Sequence, residues 1–137
     1  MEKEVSILKY LMDSRVTKIG SMVSDFVEQE KTLIIFHENA PEELHDLALL
    51  HRVTPLNDEI QVGDKFILGE TEYEVTSVGG KANETLRDLG HCTLRFTGRT
   101  ETDLPGEVAL EEKSVRDIHV NAPLRFVRDQ GVLSCWD

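Results

Sequence analysis

Histidines are the side chains of this chain best suited to chemistry, and there are five of them. Imidazole has an unperturbed pKa of about 6.5, so at pH 7 most of it is neutral and one ring nitrogen is free to attack. His51 ends an apolar run and precedes Arg52 and a loop that contains Pro55. Such a position can hold a side chain rigidly while it faces a partner. His51 is therefore a candidate nucleophile, with a structural or surface role as the alternative.

The other four histidines lie in different surroundings. His91 follows Gly90, where we predict that a helix ends, and opens a short alternating segment. His37 follows a short strand, and His119 lies in a polar stretch, so both are expected to be solvated loop or strand-end residues. His45 lies in an acidic turn and is expected at the surface.

Metal and nucleotide sites find no support in the motifs. The chain has no His-Glu-x-x-His segment, and its two cysteines, Cys92 and Cys135, lack the spacing of metal ligands or of a disulfide framework. It also has no Gly-x-Ser-x-Gly segment and no phosphate-binding loop of the Walker type. We therefore expect no metal and no ATP site.

Charge and length exclude several classes of function. The 137 residues are enough for one domain, and 26 acidic against 15 basic residues give a net charge of −11. Nucleic-acid binding requires clustered Lys and Arg, so it is excluded. The acidic surplus serves solubility or a partner with a basic face. The start of the chain is charged and no apolar run approaches the ~18 residues of a membrane span, so we expect a cytoplasmic protein.

Short strands dominate the elements that must position these residues. The first half predicts a helix over Ser21–Glu28 capped by Ser21, a strand over Thr32–Phe36, and a helical first turn at Pro41–Glu43. The segment Leu44–Val53 fits either a continued helix or a strand, and we favour the strand because alternate residues, including His51, would share one face.

The second half predicts a hairpin, a short helix and three further strands. The hairpin joins Asp64–Leu68 to Tyr73–Val78, and the helix covers Ala82–Leu89 and stops at Gly90. The strand His91–Thr97 would bury Cys92, Leu94 and Phe96, and two more strands cover Glu107–Leu110 and Leu124–Val127. This pattern predicts a mainly β, small single-domain barrel or sandwich.

Three motifs together resemble a known family. They are Arg15–Gly20, then Ala40–Leu44 leading to His51, then Leu86–Gly98. In this order and at these spacings they resemble the glucitol/sorbitol-specific enzyme IIA of the bacterial phosphotransferase system. The resemblance covers a domain of residues 12–128, with residues 1–11 as an N-terminal extension and 129–137 as a C-terminal tail. It implies a mainly β, barrel-like fold with one to three short helices.

The resemblance also implies site residues. The family's phospho-accepting histidine maps onto His51, and Nε2 is the nitrogen expected to react. His91 lies in the third motif and is either a supporting residue or a structural one. Candidate donors to the phosphoryl oxygens are Thr93 and Arg95, within that motif, and Arg52. The implied relay needs no cofactor.

The implied partners are proteins. Phosphate would arrive from the histidine-containing phosphocarrier protein and leave to a cysteine of the membrane-bound glucitol/sorbitol permease subunits, IIB and IIC. Direct sugar binding is not expected, because aromatic residues make up only 6% of the chain. The alternative is a non-enzymatic β-barrel for ligand binding or interaction, in which the histidines are structural.

Overall fold

Eight strands form one closed, barrel-like sheet in the computed structural model, which describes residues 2–136 and the side chains of residues 4–132. In chain order the strands are β1 (Glu2–Ile19), β2 (Thr32–His37), β3 (Leu49–His51), β4 (Lys65–Leu68), β5 (Thr71–Val78), β6 (Cys92–Arg95), β7 (Glu107–Leu110) and β8 (Pro123–Trp136). Their hydrogen-bonded order is β1-β3-β2-β6-β7-β5-β4-β8. The predicted mainly β, barrel-like single domain is confirmed.

In the part of the chain that the structure describes, two α-helices and one 3₁₀-helix connect the strands. Helix α1 is Val23–Glu30, helix α2 is Ala82–Leu89, and the 3₁₀-helix is Glu42–Leu47. The predicted Ser21 cap is wrong, since Met22 occupies the N-cap of α1 without a side-chain bond. Helix α2 ends at Gly90 as predicted, with φ of 62°, a left-handed conformation that glycine adopts without steric cost.

The predicted strand over Leu44–Val53 is wrong in its first half. That half belongs to the 3₁₀-helix, and only Leu49–His51 pairs as a strand. Local bonds explain the difference, because Leu44 N–H donates to Pro41 O at 2.9 Å and His45 Nε2 donates to Ala40 O at 2.8 Å. Strand β3 is therefore short, antiparallel to β1 and parallel to β2.

The interior of the barrel is packed with apolar side chains. Its largest members are aromatic, Tyr73, Phe66, Phe96 and Phe126, and all are buried. Cys92, Leu94 and Phe96 face this core as predicted. A small barrel of this kind is filled by its own side chains. The candidate site lies at one end of this core, where β2 and β3 end.

Strands β1 and β8 continue past the body of the barrel. They pair from Arg15↔Pro123 out to Glu2↔Trp136. Residues 129–136, expected as a tail, and most of the expected N-terminal extension are the outer parts of these two strands, but Leu11 is buried in the barrel core. Among the residues described, no helix is long and apolar enough to cross a membrane.

Candidate functional site

Two histidines close one end of the barrel. Strands β2 and β3 run parallel, and their register sets His37 beside His51. Side chains alternate along a strand, so His37 shares the inward face of Ile35, and His51 shares that of Leu49. The two rings meet edge to face, with centroids 5.0 Å apart. His37 is only 5% exposed, so the expectation of a solvated strand end is wrong.

His51 is held through both ring nitrogens. Its Nε2 lies 2.8 Å from the carbonyl oxygen of Gly90, and its Nδ1 lies 3.0 Å from Oγ of Ser14. A carbonyl only accepts hydrogen bonds, so in the neutral ring the proton is on Nε2 and Nδ1 accepts from the serine hydroxyl. The side chain is fully buried. We call Ser14, His37, His51 and the Gly90 carbonyl the barrel-end cluster.

The barrel-end cluster keeps His51 neutral. Burial lowers the pKa of His51 to about 4, an effect that the bond to Gly90 only partly offsets and that neighbouring His37 strengthens. Burial also lowers the pKa of His37 below its ordinary value. At neutral pH the cluster therefore offers an uncharged imidazole, which is the form that attacks an electrophile.

Gly90 reaches His51 because it lacks a side chain. A Cβ at this position would overlap the ring of His37. The left-handed turn at Gly90 ends α2 and directs the carbonyl into the cluster. The helix stop predicted from the sequence thus has a second consequence, which is to cover Nε2 of His51 with a backbone oxygen.

His91 holds the turn at Gly90 against strand β2 of the sheet. Its ring stacks on Phe36, with centroids 3.9 Å apart, and its Nδ1 donates to Ile35 O at 3.0 Å. Its backbone bonds with Thr85 in α2, through N–H to Thr85 O and through its carbonyl from Thr85 Oγ1. These are the contacts of a helix–strand junction. His91 therefore affects His51 indirectly, by holding the neighbouring Gly90 in place.

The other predicted phosphoryl donors lie apart from His51. Thr93 pairs with Ile34 and Arg95 with Thr32. These partners precede His37 along β2, so the two residues lie roughly 10 and 17 Å from the cluster at about 3.3 Å per residue. Arg95 instead bonds Glu107 at 3.2 Å.

Arg52 is adjacent to the barrel-end cluster in sequence. Its side chain is exposed, while its carbonyl oxygen lies 2.8 Å from Ser14 Oγ. The part of Arg52 that enters the cluster is therefore its backbone.

The two remaining histidines, His45 and His119, are not part of the barrel-end cluster. Partly buried His45 braces the 3₁₀-helix through Ala40 O, and His119 is exposed. Among the side chains described, those of residues 4–132, no three metal-binding groups gather at one point.

Comparison with known proteins places these features in a family. Residues 11–125 match the family model described as the PTS system glucitol/sorbitol-specific IIA component. The chain belongs to this family. Two relatives named as the PTS system glucitol/sorbitol-specific EIIA component, from Shigella flexneri and Escherichia coli strain K12, are each 35% identical over 116 residues, 85% of this chain and 94% of theirs.

A solved structure of the same system shares the fold of this IIA protein. It is the PTS system IIA component from Enterococcus faecalis V583, with a TM-score of 0.71 at 25% identity, covering 85% of this chain and 98% of that one. The predicted family is thereby confirmed, and with it the class of function, a phosphotransferase-system component that relays phosphoryl groups. The matched range includes the whole barrel-end cluster and stops short of the outer parts of β1 and β8.

An apolar cavity opens beside the cluster of this IIA protein. It has a volume of about 440 Å³ and is lined mainly by apolar side chains from the end of β2, the 3₁₀-helix and the end of α2, with Asn39 and Asp88 among them. Leu89, next to Gly90, is 51% exposed. Asp88 lines the cavity, and Glu42 and Glu43 are exposed on the 3₁₀-helix that contributes Leu44 to its lining.

A larger cavity of about 580 Å³ lies elsewhere, against Ile60, Val78 and the opposite side of α2. No histidine lines it. Histidines do not line the cavity beside Gly90 either, but Phe36 and Leu89 do, and these are the chain neighbours of His37 and Gly90 in the barrel-end cluster.

Proposed function

We propose that this chain relays phosphoryl groups through His51. It accepts the group from the histidine-containing phosphocarrier protein and passes it to the IIB subunit of a glucitol/sorbitol permease. The observation that carries the proposal is a neutral, fully buried imidazole held through both nitrogens at the end of the barrel. The family membership and the relatives' names support the same role.

Transfer to His51 is a displacement at phosphorus. Once the proton on Nε2 has left to water, the Nε2 lone pair forms a bond to phosphorus while the bond from phosphorus to the carrier's nitrogen breaks. The protein supplies position and a dry, preorganised environment rather than covalent help. In the second step the sulfur of the IIB cysteine displaces Nε2, and His51 returns to its starting state.

Access to Nε2 of His51 requires the Gly90 carbonyl to move away. Nε2 is 2.8 Å from the Gly90 carbonyl, and the side chain has no exposed surface. Phosphorus cannot approach while that oxygen occupies the line of attack. Docking of the phosphocarrier therefore displaces the turn at Gly90. The turn is well placed to move, because it joins a short helix to a strand and is bonded to β2 chiefly through His91.

The cavity beside Gly90 is the proposed docking point for the phosphocarrier. Its apolar lining and acidic border suit a partner with an apolar centre and a basic rim. A side chain that enters between Pro41 and Leu89 would press on the end of α2, and so on Gly90. Docking and uncovering of His51 then become one event.

The test is phosphorylation of purified protein with phosphoenolpyruvate, enzyme I and the phosphocarrier, followed by intact mass. Wild type is expected to gain one phosphoryl group, and His51→Gln none. His119→Gln, which alters an exposed histidine, is the matched control and is expected to label fully. Full labelling of a folded His51→Gln protein would remove His51 from this role.

Docking is tested with a pair of leucine variants. Leu89→Ala is expected to raise the phosphocarrier concentration needed for half-maximal transfer several-fold, because an exposed apolar anchor near a covered site is lost. Leu104→Ala removes a leucine of similar exposure, 62% against 51% for Leu89, from a loop outside the cavity. Equal behaviour of the two variants would exclude this cavity as the docking point.

A further inference from the structure

Ser14 has one proton and two acceptors. Its Oγ lies 3.0 Å from Nδ1 of His51 and 2.8 Å from the carbonyl oxygen of Arg52. The side chain is 1% exposed, so water does not compete for the hydroxyl. When His51 carries its proton on Nε2, the hydroxyl must donate to Nδ1, and the bond to the Arg52 carbonyl is unmade. The observed position thus serves two alternative bonding patterns.

The second pattern belongs to the other tautomer of His51. With the proton on Nδ1, the ring donates to Ser14 Oγ, and the serine hydroxyl turns to donate to the Arg52 carbonyl. Every group on this side of the ring is then satisfied without any heavy atom moving. Nε2 becomes a bare lone pair facing the Gly90 oxygen at 2.8 Å, and two acceptors at that distance repel.

We propose that Ser14 is the positioning residue that makes His51 reactive at Nε2, by rotating its hydroxyl proton from His51 Nδ1 to the Arg52 carbonyl. The inference rests on the relay role proposed above and adds the residue that selects the reacting nitrogen. Ser14 does not touch the phosphoryl group. It acts through Nδ1, on the opposite side of the ring from the Gly90 cover.

The proton balance of the step is complete. As the Gly90 carbonyl withdraws and water reaches the uncovered ring, Nε2 gives one proton to water and Nδ1 takes one proton from water, so the ring stays neutral. Nε2 then attacks phosphorus while the carrier's P–N bond breaks, and positive charge develops over the ring. The Nδ1–H to Ser14 bond stabilises that charge, and the charge is discharged when the IIB thiolate takes the phosphoryl group.

The two tautomers also link chemistry to docking. In the resting protein the Gly90 oxygen favours the Nε2–H tautomer, in which the buried nucleophile is unreactive toward phosphorus. Removing the cover eliminates the repulsion and leaves the Ser14–Arg52 pair to favour Nδ1–H. Phosphocarrier docking therefore both exposes Nε2 and frees its lone pair.

The test compares Ser14→Ala with Ser14→Thr, which keeps a hydroxyl, and with Ser24→Ala, which alters an exposed serine of α1. For Ser14→Ala, the maximal transfer rate at saturating phosphocarrier is expected to fall about 10-fold, the effect of one lost hydrogen bond. The phosphocarrier concentration for half-maximal rate is expected to stay the same. Ser14→Thr and Ser24→Ala are expected to stay within about 2-fold of wild type.

A spectroscopic measurement on the wild-type protein does not depend on how the variants fold. The ¹⁵N signals of the His51 ring are expected to show Nε2–H in the unphosphorylated protein and a protonated, slowly exchanging Nδ1 after phosphorylation. An unprotonated Nδ1 in the phosphorylated protein would overturn the inference, as would a Ser14→Ala rate equal to wild type. With His51 labelled, either result removes only the role of Ser14. Absence of label on His51 would instead overturn the relay proposal itself.

Discussion

Lowering the pH is expected to destabilise this protein through His51 in particular. The folded pKa of about 4 lies below the ordinary value of 6.5, because the buried ring cannot be charged without losing solvation. Between these two values the unfolded chain binds a proton that the folded chain does not. Stability contributed by neutral His51 is thus fully present above pH 6.5 and is lost as the pH falls toward 4.

The magnitude follows from the separation of the two pKa values. At about 1.4 kcal/mol per pH unit, the separation amounts to about 3 kcal/mol, of which about 2.5 kcal/mol falls between roughly pH 7.5 and 4.5. That is a large share of the roughly 5–15 kcal/mol that stabilises a typical domain. Carboxylates and other histidines titrate in the same range, so wild type alone does not isolate the effect.

Urea unfolding of wild type and His51→Gln across this pH range isolates the contribution of His51 to the pH dependence of stability. Glutamine carries no titrating proton, and an amide can bond both Ser14 and the Gly90 carbonyl. The free energy of unfolding of wild type is expected to fall about 2.5 kcal/mol further than that of His51→Gln between roughly pH 7.5 and 4.5. Parallel curves would mean that His51 titrates normally in the folded protein, and the account of its burial would be refuted.

Four further outcomes are expected. Gly90→Ala should lose roughly 2–4 kcal/mol of unfolding free energy, from a left-handed φ and overlap with the ring of His37. Gly98→Ala, also left-handed but with no atom closer than 3.6 Å to the added Cβ, should lose only about 1 kcal/mol. Replacing His91 by alanine should slow transfer roughly 10- to 1000-fold while His51 is still labelled, and an unchanged rate would leave His91 a purely structural residue. Rising salt should raise the phosphocarrier concentration needed for half-maximal transfer and leave the maximal rate nearly constant, whereas indifference to salt would reduce the acidic surface to a solubility feature. Burial raises the pKa of the Cys92 thiol, so an alkylating reagent should leave it unmodified until the protein unfolds.

Periodicity and turn residues predicted most of the fold. The hairpin over β4 and β5, helix α2 with its glycine stop, and the buried face of β6 all follow from local patterns that tertiary packing reinforces. The structure of the segment before β3 did not follow from its local pattern, because a run of leucines fits a strand as well as a helix. The outcome there depended on local bonds around Pro41 and His45 that composition does not reveal.

The candidate site was only partly accessible from sequence. The order of motifs pointed to His51, but a solvated position was expected for His37, although alternation with Leu33 and Ile35 already placed it on the buried face. Ser14 has a similar signal, since Met12 and Val16 flank it on an inward face. Two features of the site could not be predicted from any local pattern. They are the parallel pairing of β2 with β3 and the position of the Gly90 carbonyl at His51, and both depend on contacts between distant segments.

The location of phosphorus in the phosphorylated protein tests the central claim most directly. After phosphorylation with phosphoenolpyruvate, enzyme I and the phosphocarrier, a ³¹P-to-ring correlation spectrum identifies both the histidine and the nitrogen that carry the group. This account predicts a single phosphorus bonded to Nε2 of His51. Phosphorus on His37 or His91, or on Nδ1 of His51, would contradict it.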